Sequence, residues 1–295
     1  MKSLLETATR RLAEAGCDTP RLDAEVLLAH TLGRDRTWLY AHLPDSLSRT
    51  DRNRFERLLD RRAEREPVAY LTGHKEFFAL DFRVNRHVLI PRPETELLVE
   101  TAIRLVNENR GTMDAASPGG AGQAGITIAD VGTGSGCIAI ALARCLTGVA
   151  VVAIDCSREA LDLARQNAVR HDATDRISFL SGHLLQPLPR PVDLIVSNPP
   201  YVSRTELANP AFAPEVGRFE PRLALDGGQD GLDVIRQLLA QAQEKIKPGG
   251  SILIEIGFAQ GQAVTRLART HFPQASVQIE KDLAGLDRLL LLRTV

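Results

Sequence analysis

The sequence has little net charge, few aromatic residues and few cysteines. Its 36 Lys and Arg stand against 37 Asp and Glu, a formal charge of −1. The strongly basic footprint by which proteins grip duplex nucleic acid is missing, so no direct nucleic-acid partner is expected. The longest apolar runs, such as IAIALA and LLLL, fall far short of the roughly 20 residues that span a bilayer, so no membrane is expected either. The first residues, MKSLLETATRRLAEAG, carry charges through their apolar stripe and read as an amphipathic helix, not a signal peptide. Cys17, Cys137, Cys145 and Cys156 include no C-x-x-C pair, and no His follows at zinc-ligand spacing. Small buried thiols in a reducing cytoplasm are expected, and no metal. What is present is ordinary for a soluble globular chain: 44% hydrophobic and 25% charged residues. At roughly 150 residues per domain, 295 residues suggest two domains, each long enough for its own core.

Residues 1–75 have helical spacing throughout. Leu4, Leu5, Ala8, Leu12 and Ala15 form one stripe, and Leu22, Val26, Leu27 and Ala29 a second. Thr19-Pro20 predicts a helix start, with Thr as N-cap and Pro at the first helical position. A third helix is predicted from about 48 to 66, with Phe55, Leu58 and Leu59 inward. Arg49, Arg52, Arg54, Arg57, Arg61, Arg62 and Arg65 then make a face that, with interleaved acids, reads as solvated and salt-bridged. KEFFAL and DFRVN predict a small hairpin, and Pro91 and Pro93 stiffen the connection after it. PETELLVETAIRLVNENR returns to helical spacing. The Gly-rich, nearly uncharged stretch 111–125 reads as a flexible surface insertion.

After Gly125, strands near 126–131, 149–154, 176–181, 192–197 and 251–256 alternate with helices near 136–147, 157–171, 231–246 and 259–271. Two final strands come near 275–280 and 287–293. The pattern predicts an α/β fold, a mostly parallel seven-stranded Rossmann-like sheet with helices on both faces. The last two strands are too close for a crossover helix, so the seventh should run antiparallel. Ligands of such sheets bind beyond the carboxyl ends of the strands.

Two motifs lie at such ends. In ITIADVGTGSGCIAIALA (126–143) a strand runs through Asp130 into Gly132-Thr133-Gly134-Ser135-Gly136 and then an apolar helix. Backbone can approach a ligand closely there, and the helix N-terminus offers free N–H groups. Alone, this is equally a tight strand-to-helix turn, and the spacing is not that of dinucleotide-binding enzymes. The next strand ends at Asp155, where an acid can accept both hydrogen bonds of a ribose diol. A helix cap is the plainer role for Asp155, but Ser157 can fill it. Together the pair points to a nucleoside-bearing cofactor. In VDLIVSNPPYVS (192–203) a buried strand runs into Asn198-Pro199-Pro200-Tyr201. The prolines stiffen the backbone and remove two donors, leaving a row of carbonyl acceptors beside the Asn oxygen. The Asn198 oxygen and the Pro199 carbonyl can each accept one hydrogen of a planar –NH2 group, with Tyr201 stacked on its plane. A simple turn would favour Gly or Asp instead.

G-x-G-x-G followed by N-P-P-Y resembles S-adenosylmethionine-dependent methyltransferases acting on planar nitrogen. PVAYLTGHKEFF, VLIPRPETE, FEPRLALDGGQDGL, KPGGSILIEIG and KDLAGLDR narrow the resemblance, which runs from about residue 67 to the C-terminus. It is to the protein-(glutamine-N5) methyltransferases of peptide chain release factors, the HemK/PrmC family. The resemblance implies S-adenosyl-L-methionine as cofactor and methylation of the glutamine in the Gly-Gly-Gln motif of class 1 release factors, modulating translation termination. It implies a helical recognition domain (1–75), a β-hairpin linker (76–92) and a methyltransferase domain (93–295). Asn198, Pro199, Pro200 and Tyr201 would be catalytic. Asp130, Gly132, Thr133, Gly134, Ser135, Gly136, Asp155, His183 and Asn198 would line the cofactor. Relatives often carry an acid and an aromatic in the loop after strand three. Here SGHLL offers Gly182 and His183, and a lone loop His is more often solvated. A monomer is expected. His74 and His87 receive no role. Rival readings are a glutamine methyltransferase of a ribosomal protein, a DNA adenine-N6 methyltransferase and a non-enzymatic translation-factor adaptor. The charge balance and the lack of a target-reading domain weigh against the second, and the intact N-P-P-Y against the last.

Overall fold

A computed structural model describes residues 1–116, 125–209 and 212–295. The helices in chain order are α1 (Lys2–Glu14), α2 (Pro20–Leu32), α3 (Arg36–Ala41), α4 (Arg49–Ala63), α5 (Val68–Thr72), α6 (Glu96–Ala116), α7 (Cys137–Cys145), α8 (Arg158–Arg170), α9 (Arg204–Leu207), α10 (Pro214–Phe219), α11 (Asp233–Lys245) and α12 (Gly261–His271). The strands are β1 (His74–Phe77), β2 (Leu80–Arg83), β3 (Ile126–Val131), β4 (Val149–Asp155), β5 (Ile177–Ser181), β6 (Val192–Ser197), β7 (Ile246–Glu255), β8 (Ser276–Lys281) and β9 (Asp287–Arg293). Among the described residues no helix is long and apolar enough to cross a membrane.

Two compact units form. The first contains residues 1–74 and, from much later in the chain, α10. Its core joins Leu5, Ala8 and Leu12 of α1 to Leu27 and Leu28 of α2 and Phe55 and Leu59 of α4. These residues recur at intervals of three and four, so each helix turns one stripe inward. Two expectations need correction. Thr19 occupies the N-cap position of α2 without capping by its side chain, because its hydroxyl donates to Asp23 Oδ1 (2.7 Å) instead. Arg62 is not on the solvated face. It follows Phe55 and Leu59 at i+7 and i+3, so it lies on the buried stripe, with its side chain 4% exposed. There its guanidinium donates to Asp23 Oδ2 and to Glu215 of α10, each at 2.7 Å. Arg65 donates to the same Glu215 oxygen at 3.0 Å. Arg49, Arg52, Arg54 and Arg57 are exposed and make no ion pair among the described residues.

The second unit is built on the seven-stranded sheet, in the order β5-β4-β3-β6-β7-β9-β8. Its strands are parallel except β9, which runs antiparallel to both neighbours. The central strands are apolar runs because both faces are covered. On one face α6 and α7 pack with Phe77 and Phe82 of the β1–β2 hairpin; on the other lie α11 and α12. The hairpin thus contributes core to this unit and is not a free linker. β7 starts earlier than expected, at Ile246, and a register shift against β6 absorbs the Lys-Pro-Gly-Gly stretch. The expected insertion is corrected in part. Residues 111–116 continue α6, and 117–124 lie outside the described residues. The thiols also divide: Cys17 and Cys137 are buried, whereas Cys145 closes α7 at the surface and Cys156 is exposed just after β4.

Candidate active site

The carboxyl ends of β3, β4 and β6 converge on a cavity of about 290 Å³, near the lower end of the range for small-molecule sites. Gly132, Thr133, Gly134, Ser135, Asp155, His183, Asn198 and Pro200 all line it. Sequence reasoning therefore gathers one site from four separate loops.

Asp155 ends β4 and bridges the site. Its Oδ2 accepts from the Gly134 N–H and its Oδ1 from the Ser157 N–H, both at 2.9 Å. Burial raises its pKa, opposed by those N–H groups. Each oxygen keeps a further lone pair for a ligand. Ser157, not Asp155, caps α8, accepting from the Ala160 N–H at 3.1 Å. His183 is held by Gln237, 3.0 Å from ring Nε2 to Oε1, so it is not a free loop histidine. Leu184 beside it also lines the cavity and went unnoticed in the sequence.

Two expected cofactor contacts lie elsewhere. Asp130 is fully buried and does not line the cavity. Its Oδ2 accepts from the Thr133 hydroxyl (2.6 Å) and from the Ala139 N–H (3.1 Å), which ties the glycine turn to the first turn of α7. Burial pushes its pKa up to about 7. Gly136 also faces away. It caps α7 at φ +82°, and a Cβ there would stand 3.1 Å from both Ala164 and Ile140, so glycine lets α7 and α8 pack closely.

The second motif is divided in the same way. Asn198 and Pro200 line the cavity, but Pro199 and Tyr201 do not. Asn198 donates from Nδ2 to the Thr95 hydroxyl at 3.0 Å, which leaves its Oδ1 without a partner among the described residues. No described donor bonds the Pro199 or Pro200 carbonyl. The hydroxyl of Tyr201 is not free but reaches Glu255 Oε1 at 3.3 Å, and burial raises its pKa. The loop beyond is gripped by the stretch that opens with FEPRL. Val202 and Gly227 exchange backbone bonds with Leu225 and Val202, and Gln260 donates to the Tyr201 carbonyl at 2.9 Å. At Gly227 a Cβ would fall 2.8 Å from the Tyr201 Cα, so only glycine allows this approach. Glu220 anchors the other side, accepting from Ile90 N–H (3.1 Å) and from Arg92. Thr95, Glu220, Glu255 and Gln260, which bond to the Asn198–Tyr201 loop or beside it, were not singled out in the sequence. The first three sit in sequence blocks that carried the family resemblance, the one signal that marked them. Among the described residues no group of three or more His, Cys, Asp or Glu is placed to hold a metal ion.

The chain resembles known proteins in both sequence and fold. The family model described as "PrmC N-terminal domain" matches residues 3–73, and "Methyltransferase small domain" matches residues 121–213. The release factor glutamine methyltransferase of Moorella thermoacetica is 42% identical over 292 residues, covering 99% of this chain and 97% of that one. The enzyme of the same name from Geobacter sulfurreducens is 40% identical over 292 residues, covering 98% and 95%. The bifunctional methyltransferase of Rickettsia conorii is 35% identical, and the match covers 99% of this chain but 57% of that protein. Among solved structures, a methyltransferase from Pyrococcus furiosus superposes with a TM-score of 0.50 at 19% identity, covering 82% of this chain and 97% of that one, a likeness of fold alone.

Proposed function

The chain belongs to the release factor glutamine methyltransferase family, and on that premise we propose that it methylates, from S-adenosyl-L-methionine, the side-chain nitrogen (N5) of the glutamine in the Gly-Gly-Gln motif of class 1 release factors. The observation that carries this reading is the Asn198 side chain, which lines the cavity with its Nδ2 engaged by Thr95 and its oxygen without a partner among the described residues. The test is transfer of a labelled methyl group to purified release factor, with mass mapping of the product. Label on the Gly-Gly-Gln glutamine is expected. Label confined to a ribosomal protein or to DNA adenine overturns the reading.

The cavity suits the cofactor. Gly132 and Gly134 keep side-chain bulk off its floor, Leu184 and His183 offer a surface for a flat ring, and Asp155 keeps acceptors for a ribose diol. When bound, S-adenosyl-L-methionine supplies a methyl group on positive sulfur, already activated for transfer. The protein's own task is the nucleophile. An amide nitrogen is weak because its lone pair is delocalised into the carbonyl. Asn198 Oδ1 and the Pro199 carbonyl hold its two hydrogens and so aim the nitrogen. The same acceptors stabilise positive charge that gathers on it. Asp155→Ala is expected to weaken S-adenosylhomocysteine binding about ten- to a hundred-fold, since hydrogen bonds to a charged group are worth roughly 1.5–3 kcal/mol. Unchanged affinity in calorimetry would remove Asp155 from the ribose site.

An amide pocket alone cannot tell one glutamine from the many others on protein surfaces. Recognition of a whole protein needs an interface of about 1,200 Å² or more. We assign that role to the helical unit, with the β1–β2 hairpin. The exposed, unpaired Arg49, Arg52, Arg54 and Arg57 of α4 suit acidic patches on a release factor. The triple change R52E/R54E/R57E is expected to raise KM for intact release factor about tenfold, leaving a short Gly-Gly-Gln peptide unaffected. Equal KM values for the intact factor in variant and parent would rule the arginine face out.

A further inference from the structure

We propose that Gln260 is a positioning residue, whose side-chain amide clasps the Tyr201 carbonyl and so fixes the Asn198–Tyr201 loop, an inference that rests on the reading that this loop aims the substrate nitrogen.

The loop needs a hold from outside itself. Pro199 and Pro200 have no N–H to donate to a neighbouring strand. No described donor bonds either proline carbonyl. The first carbonyl beyond them that is held belongs to Tyr201, and it accepts from Gln260 Nε2 at 2.9 Å. Val202 follows, its N–H donating to the Leu225 carbonyl at 3.0 Å and its carbonyl accepting from the Gly227 N–H at 2.8 Å. At the near end, Asn198 is held through its side chain by Thr95. Between these two pins stand two stiff residues. A displacement of the Tyr201 carbonyl is therefore carried back to the Pro199 carbonyl instead of being absorbed on the way. A shift of about 1 Å at a group that aims a nucleophile can cost about a hundred-fold in rate.

Gln260 is committed to this hold by its other partners. Its Nε2 also donates to the Gly231 carbonyl at 3.2 Å, and its Oε1 accepts from the Gly257 N–H at 2.9 Å. Two carbonyls only accept and an N–H only donates, so a reversed amide would set oxygen against oxygen and hydrogen against hydrogen. Backbone groups thus dictate one orientation. The loops after β6, before α11 and after β7 meet on this single side chain. Glycine clears the space for it. At Gly231 a Cβ would fall 2.5 Å from the Tyr201 carbonyl oxygen and 2.7 Å from Gln260 Nε2.

The helix that Gln260 precedes does not account for its side chain. It occupies the N-cap position of α12 and makes no side-chain cap bond. Ser, Thr, Asp or Asn would cap there, and a glutamine forgoes that bond. Gln260 does not line the cavity either. Its influence on the reacting nitrogen must pass through Tyr201, which separates it from cofactor binding.

The experiment uses the full chain and purified release factor. It measures kcat and KM between pH 6 and 9, with S-adenosylhomocysteine affinity as the check on folding. Gln260→Glu keeps the shape but, once ionised, has no donor for either carbonyl. At pH 9 its kcat should fall about ten- to a hundred-fold, with KM and cofactor affinity within about threefold. Toward pH 6 the deficit should narrow by about threefold or more. A carboxyl facing two carbonyl oxygens takes up a proton more readily, and the protonated group regains one donor. Gln260→Met, of like length and without an amide, should show a similar fall at every pH. Parental kcat in both variants overturns the inference, as does a Gln260→Glu deficit that narrows no more than that of Gln260→Met. Loss of cofactor affinity in both makes Gln260 a residue of the fold alone and also overturns it. Where one variant loses affinity, kcat in the other decides. Asn198→Ala, run in parallel, separates two failures. If it loses turnover while the Gln260 variants do not, only the clasp falls. If it retains turnover, the amide-holding reading falls and takes the clasp's role with it.

Discussion

Asn198→Ala is expected to lower turnover by about 100- to 1,000-fold, the range for removing one aligned group from an oxyanion-hole-type site. Affinity for S-adenosylhomocysteine should change several-fold at most. The asymmetry follows from what the side chain does. Its Nδ2 is committed to Thr95, so its oxygen is the one side-chain acceptor that the Asn198–Tyr201 loop offers the cavity. Alanine leaves the Pro199 carbonyl to hold a single hydrogen, and the nitrogen is then free to rotate away from the line of attack. Because a ground-state amide gains little from being aimed, KM for release factor should move far less than kcat. Single-turnover transfer of labelled methyl reads the effect directly. A rate within about threefold of the parent would mean that the nitrogen is aimed by something else.

Much of this site can be read in the sequence because its parts sit at strand ends. A buried parallel strand is a short apolar run, and the residues immediately after it must lie at one edge of the sheet. Gly132, Asp155 and Asn198 are each the first informative residues after such a run, so their convergence is a matter of topology alone. Asp130 and Gly136 belong to the same motif as Gly132 but fall on the other side of the turn. A motif string does not say which of its members face inward. Asp130 is one residue inside β3 and fully buried, and Gly136 serves the packing of α8. Tyr201 reads as a stacking ring until the structure gives its hydroxyl to Glu255, 54 residues away in sequence. Thr95 and Glu255 had no signal beyond the resemblance blocks that contain them. A threonine after Pro-Glu and a glutamate ending an apolar strand carry no periodic signal of their own, and their bonds to Asn198 and Tyr201 appear only in the fold.

The second large effect concerns stability. Arg62→Met is expected to cost the helical unit about 3–5 kcal/mol, because breaking a buried ion pair leaves a charge with no partner and no water. The Asp23 carboxylate, 6% exposed, would keep only the Thr19 hydroxyl. Glu215 would fare better, since it is 26% exposed and still has Arg65. Urea unfolding followed through Trp38, the sole tryptophan and a residue of α3, reports on this unit. The double change Arg62→Met with Asp23→Leu should recover most of the loss, since replacing a whole buried pair by apolar groups is often neutral. A single-variant loss below about 1 kcal/mol would show that the pair is no more than a surface-grade contact.

The discontinuity of the helical unit has a bearing on biosynthesis. Residues 1–74 are made before the sheet, but α10 is part of the same unit. Its last residue, Phe219, is made about 145 residues after His74, roughly 7–30 s later at 5–20 residues per second. Until then Arg62 has Asp23 but not Glu215, and the nascent unit must wait incomplete while β3 to β6 are translated. The helix that closes it comes soon after the Asn198–Tyr201 loop in the chain. Completion of the helical unit therefore waits until the Asn198–Tyr201 loop has been made.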